Sequence, residues 1–162
     1  MQTADSWKSS FRYDVLLMVN FFFQLPIQKK ILLLKAVFCL AFLKITLKLL
    51  PFSKFKVFYN WLVQLFSVEK PLDEKSIDNI VWAVKKAGGI VWNGKICLIQ
   101  SLTTKLMLAK YGSQATLFIG VKFDEQKQFK AHAWVEVNSK LIIGETSGGS
   151  YSPLWVWEKS KT

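Results

Sequence analysis

The run Cys97-Leu98-Ile99-Gln100-Ser101-Leu102-Thr103-Thr104-Lys105-Leu106-Met107-Leu108-Ala109-Lys110 decides how this chain is read. Leu98, Leu102 and Leu106 recur at helical spacing, and Gly112 stands just past the end, where a left-handed stop is favoured. The spacing predicts a helix over 97–110. Beyond it the texture changes. Segments 116–122, 132–137 and 141–145 are rich in β-branched and aromatic residues and read as strands. Asn138-Ser139 is a short polar turn between the last two. With helices upstream and antiparallel strands downstream, the chain is expected to be α+β.

Working outward, 28–50 is a long apolar helix candidate stopped by Pro51. At about 100° per residue, Lys30, Lys44 and Lys48 fall on one side of it, and Lys35 lies nearly opposite among leucines. A second aromatic-rich helix is expected over 52–68. A third, over 73–87, has Asp73 as its N-cap and Gly88-Gly89 as its stop. The apolar run 15–25 has eleven residues, too few at about 1.5 Å each to cross a hydrocarbon core of about 30 Å. It lacks a basic leader and a small-residue cleavage site, so it does not read as a signal peptide. Three lysines within 31–50 argue against a spanning helix there, since each costs roughly 2.5–3.5 kcal/mol at a bilayer centre. No internal repeat or low-complexity segment interrupts the chain.

A 162-residue chain with 51% hydrophobic and 20% charged residues fits one globular domain with a real core. Cys39 and Cys97 do not make a disulfide framework; read as reduced thiols, they imply a cytoplasmic setting. The net charge is +11, yet Arg12 is the single arginine among 22 basic residues. Bidentate phosphate and base recognition is mainly arginine work, so nucleic acid is not an expected partner. No acid stands between Asp14 and Glu69, whereas seven lysines do. Such a stretch is open to an anionic membrane surface. The competing reading is a core-facing helix with a solvated lysine side.

Chemistry points to two placements. Cys97 opens a helix, where free backbone N–H groups and the positive dipole end stabilise a thiolate and can hold an oxyanion. His132, the only histidine, opens a strand. A third group is needed to orient the imidazole. If Asn138-Ser139 is a two-residue hairpin turn, Val137 faces Lys140, and His132 faces Glu145 on the same side of the sheet. A one-residue shift moves that pairing toward Thr146 or Ser147. Glu136 lies about 13 Å along the strand and reads as structural. One histidine and two distant cysteines do not give zinc-ligand spacing. Phosphate-loop and serine-elbow motifs are absent, so neither metal nor cofactor is expected.

Taken in order, Cys97-Leu98-Ile99-Gln100-Ser101-Leu102, Leu106-Met107-Leu108, Tyr111-Gly112, Leu117-Phe118-Ile119-Gly120-Val121 and Ala131-His132-Ala133-Trp134-Val135-Glu136 resemble the papain/transglutaminase-like core of lasso-peptide biosynthesis. More narrowly, the chain is similar to the stand-alone leader peptidases of that pathway. The likeness runs over about 90–154 and includes Ile143-Gly144 and Tyr151-Ser152-Pro153-Leu154. The resemblance implies a catalytic core at 90–162 behind a helical region at 1–89 packed on it. It implies that Cys97 is the nucleophile and His132 the base of a thiol peptidase. The family's usual third residue, an aspartate about twelve positions past the histidine, falls here on Gly144, with Glu145 beside it as the candidate substitute. The expected substrate is a ribosomally made precursor peptide that loses its leader. The expected partners are a separate leader-recognition protein and an ATP-dependent cyclase. Two alternatives stay open: a non-catalytic, membrane-docked scaffold on a degenerate core, and another acyl-transfer activity such as an amidase or transferase.

Overall fold

A computed structural model describes residues 22–67, 73–91, 97–110, 115–123, 125–145 and 151–157. The run 15–25, the stop at Gly112, and Thr146 with Ser147 lie wholly or mostly outside them. Among the described residues, helices α1 (Ile27–Leu49), α2 (Phe52–Leu65), α3 (Glu74–Val91) and α4 (Cys97–Ala109) precede strands β1 (Ala115–Phe123), β2 (Phe129–Val137), β3 (Lys140–Ile143) and β4 (Ser152–Trp157). The strands form one antiparallel sheet in the order β3-β2-β1-β4. The α+β expectation holds, with helices before sheet.

The centre is α4. Every side chain from Ser101 to Ala109 is buried, because the helix touches the three other helices as well as β1, β2 and β3. One apolar cluster unites Leu33, Ala36 and Leu40 of α1 with Leu102 and Leu108 of α4 and with Leu117 and Val135 of the sheet. The helical lead and the segment after residue 89 therefore share a core.

A charge sits inside it. Lys105 is 4% exposed, and its ammonium donates to the carbonyls of Ala115 at 2.5 Å and Trp157 at 2.8 Å, tying α4 to β1 and β4. Its long stem packs among apolar groups while the head satisfies strand-end acceptors. Tyr59 of α2 makes a neutral counterpart: its buried hydroxyl donates to Leu102 O at 2.7 Å, and its ring meets Trp157 edge-on. Burial pushes its phenol well above the ordinary range.

Two expectations are corrected. First, α3 does not stop at Gly88-Gly89 but runs through both to Val91. A glycine C-cap works by adopting positive φ, and among the described glycines only Gly144 does so. Ile80, Ala83, Val84 and Ala87 hold α3 on the core, which offsets about 1 kcal/mol per helical glycine. Second, a fourth strand, β4, pairs with the free side of β1. Pro153 disguises it in the sequence, since proline removes a ladder donor and is tolerated only at sheet edges. The hairpin turn is as expected: Asn138 and Ser139 take φ of 50° and 62°, and Val137 pairs with Lys140.

Candidate active site

Strand alternation sorts β2. Ala133, Val135 and Val137 are buried against the core, while His132, Trp134 and Glu136 share the other face and are partly buried. On that face Trp134 stacks flat on Phe118 at 5.3 Å and sends its indole N–H to Glu136 at 3.0 Å. Glu136 is thus occupied as a structural acceptor, as its spacing along the strand suggested. The His132 ring lies 6.5 Å from Trp134, nearly parallel, and 5.3 Å from Tyr151.

Two glycines make this packing sterically possible. Gly120 pairs directly with His132, and a Cβ there would fall within 2.7 Å of the Trp134 ring and 2.9 Å of Tyr151. Gly144 has φ +91°, and a Cβ there would meet Ala133 O at 2.5 Å and Trp134 Cα at 2.6 Å. Neither glycine can carry a side chain without moving the residues around His132. Sequence reading did not single out Gly120. The available signal was a lone glycine inside a strand pattern, which marks close approach of a neighbour.

Gly144 also holds the imidazole. His132 Nε2 lies 2.9 Å from Gly144 O. A carbonyl only accepts, so Nε2 carries the hydrogen, and in the neutral tautomer this contact selects, the lone pair is on Nδ1. This is the tautomer-fixing role that a carboxylate fills in a triad. It is performed here by a backbone oxygen at the position where the resemblance expects an aspartate.

Glu145 stands elsewhere, which corrects its expected place beside His132. Its side chain is 77% exposed and pairs with Lys85 of α3 at 2.9 Å. That ammonium, by hydrogen bond and then by charge, holds the Glu145 carboxyl below its ordinary range. The cause is a bulge. Glu136 pairs with Leu141, but Val135 pairs with Ile143, so one extra residue enters β3. Each later residue slips one place along β2, and the β2–β3 pairing ends at Val135, before His132 is reached. The two-residue turn was right, and the even pairing beyond it was not.

Cys97 is the first residue of α4 and is partly buried. Ser101, one turn later on the same helix face, donates its buried hydroxyl to Ala133 O at 3.0 Å. Four residues further, Lys105 reaches the ends of β1 and β4, so α4 runs alongside β2 in the same direction. Along the backbone from the Ser101–Ala133 anchor, Cys97 lies about 6 Å before Ser101 and His132 about 3.3 Å before Ala133. The anchor sets the backbones of both residues on the same side of it, while the His132 side chain stands on the sheet face turned away from the core. No hydrogen bond joins the Cys97 thiol to His132 among the described residues, and contacts of this kind often tighten only with substrate bound.

The other thiol differs in setting. Burial raises the Cys39 pKa, with the Lys110 charge opposing, and Cys39 lines a mainly apolar cavity that Lys35 and Lys110 also border. No group of three His, Cys, Asp or Glu side chains suited to a metal ion occurs among the described residues.

A cysteine heading a buried helix, followed by an antiparallel sheet carrying a histidine, defines a class of thiol-dependent acyl-transfer folds. Comparison gives the family: the transglutaminase-like superfamily matches over residues 55–156, more than half of the chain, and the chain belongs to it. The match begins inside α2, well ahead of residue 90. No curated protein and no solved structure matches the chain.

Proposed function

We propose that this chain is a cysteine peptidase that removes the leader from a ribosomally made lasso-type precursor, with Cys97 as nucleophile and His132 as base. The hydrogen bond from His132 Nε2 to Gly144 O carries the proposal, because in the neutral ring it leaves Nδ1 to act as base, one residue before the Ala133 carbonyl that Ser101 of α4 grips. In the reaction, Nδ1 takes the Cys97 proton as Sγ attacks the scissile carbonyl. The oxyanion is held by free N–H groups at the start of α4. Collapse of the tetrahedral intermediate breaks the C–N bond, and the proton passes from Nδ1 to the leaving amine. Water then attacks the thioester, giving up its proton to Nδ1, and Sγ leaves with that proton restored. Gly144 O, in place of Glu145, orients the ring throughout.

The leader is presented by a separate recognition protein, and the freed core passes to an ATP-dependent cyclase. The test combines precursor, recognition protein and this chain, with mass spectrometry of the products. A free leader and a hydrolysed junction, both lost in Cys97→Ala, support the proposal. An isopeptide product assigns the core to transferase chemistry instead. One observation favours a scaffold reading: the Cys97 thiol has no hydrogen bond to His132 here. Unchanged maturation by Cys97→Ala establishes that reading.

A further inference from the structure

Helix α1 has two apolar faces. One faces the core through Leu33, Ala36, Leu40 and Leu43. The opposite face is where a solvated lysine side was expected, and it carries Ile27, Ile31, Leu34, Phe38, Ile45 and Leu49, each between 46% and 73% exposed. With Phe42, 36% exposed, filling the gap between Phe38 and Ile45, these residues recur three and four apart along all 23 residues of the helix, a length of about 34 Å. The stripe continues onto α2. Phe38 stacks with Phe42 at 6.3 Å, Phe42 meets Phe58 at 6.2 Å, and Phe58 meets Trp61 at 6.0 Å. Trp61 is 55% exposed, and Val57 and Leu65, one turn to either side of it, are 72% and 59% exposed. A contiguous apolar surface of this extent marks an interaction site.

The charges border it in a pattern. At about 100° per residue, Lys30, Lys44 and Lys48 run along one margin of the α1 stripe and Lys35 lies on the other. No acid occurs anywhere from α1 through α2. Beside Phe38 and Phe42 a cavity of about 320 Å³ opens between α1, α2 and α4, walled by Leu62 and Met107 with Lys35 and Lys110 among its lining. No helix among the described residues is long and apolar enough to cross a membrane.

We infer that the outward face of α1 and α2 docks on an anionic lipid surface, lying in the interface and not spanning it. The apolar stripe enters the acyl boundary, the bordering lysines meet headgroup phosphates, and Trp61 sits at the headgroup level. The cavity beside Phe38 gives an acyl chain an apolar recess flanked by two ammonium groups. A protein partner facing this surface would need acids along both margins of a helix-long stripe, whereas an anionic bilayer supplies them everywhere. The inference stands independently of the peptidase reading, since its readout is not cleavage.

The test is co-sedimentation of the purified full chain with vesicles of phosphatidylcholine, alone or enriched in phosphatidylglycerol, alongside tryptophan fluorescence of the chain and of Trp61→Phe, whose difference reports Trp61. Expected is binding to the anionic vesicles with a blue shift, weakened by salt. Lys35→Gln and Lys48→Gln each reduce it about fivefold, and the double variant Phe38→Gln/Trp61→Gln reduces it more than tenfold. These side chains are exposed or at the margin, and an unchanged melting temperature shows that the variants fold. Equal binding to neutral vesicles, no binding, or binding indifferent to these substitutions overturns the inference. So does a dimer dispersed by Phe38→Gln/Trp61→Gln, which would assign the face to a second copy.

Discussion

The two aromatic faces of this molecule, one on the sheet around His132 and one on the outside of α1 and α2, are built on opposite principles. On the sheet each ring is fixed by a specific neighbour: Trp134 by Phe118 and Glu136, and the imidazole by Gly144 O. Two glycines keep the space for them. On the helices the rings form a repetitive, outward stripe bordered by lysines, and neither helix carries an acid. Ordered single contacts serve reactions that need one geometry. A repetitive basic-apolar surface suits a partner that is itself repetitive. The helix α4 joins the two faces, with Cys97 at its head and Lys105 clamping its middle to the sheet.

The contrast can be broken most strongly at the proposed nucleophile. Cys97→Ala is expected to lower precursor cleavage by several orders of magnitude, as loss of a nucleophile does elsewhere. Vesicle binding and the melting temperature stay unchanged, and loss of all three together would show a role in folding.

Next is Gly144→Ala. The added Cβ collides with Ala133 O and Trp134 Cα at a positive φ, which costs about 1–3 kcal/mol for the backbone strain alone. Cleavage should fall more than stability does, because the carbonyl holding His132 moves. Thermal melting and kcat measured on the same sample separate the two effects. A variant that melts lower yet cleaves normally would remove Gly144 O from the site.

Lys105→Met tests the connection between the faces. It leaves two buried carbonyls without their donor and is expected to destabilise the fold by about 1–3 kcal/mol in chemical denaturation. The helix face and the sheet face should lose order together, because α4 packs against both.

The smallest effect belongs to Glu145→Gln. Cleavage should remain within about twofold of the unmodified chain, because the carboxylate serves Lys85 and not the imidazole. Its folded pKa lies below the unfolded one, so the pair contributes above the ordinary carboxylate range. That contribution is lost as pH falls through the lowered value. Both groups are exposed, so salt should screen most of it. A large loss of cleavage in Glu145→Gln would restore it as a member of the site.

Several features were legible in the sequence because they depend on neighbours a few residues away. The helical period of 97–110, the alternation along β2 and the Asn138-Ser139 turn follow from backbone geometry and local side-chain chemistry. Cys97 and His132 could be singled out because one heads a helix and the other is the chain's only histidine. Other features were decided by contacts between distant segments. The continuation of α3 through Gly88 and Gly89 rests on its packing against the core, and β4 is a strand only because β1 offers it an edge. The bulge in β3 turned Glu145 toward Lys85 and left a backbone oxygen to hold His132. The sequence by itself determined which residues can do chemistry. Tertiary structure decided which groups they meet, because a one-residue change in register reassigns every partner beyond it.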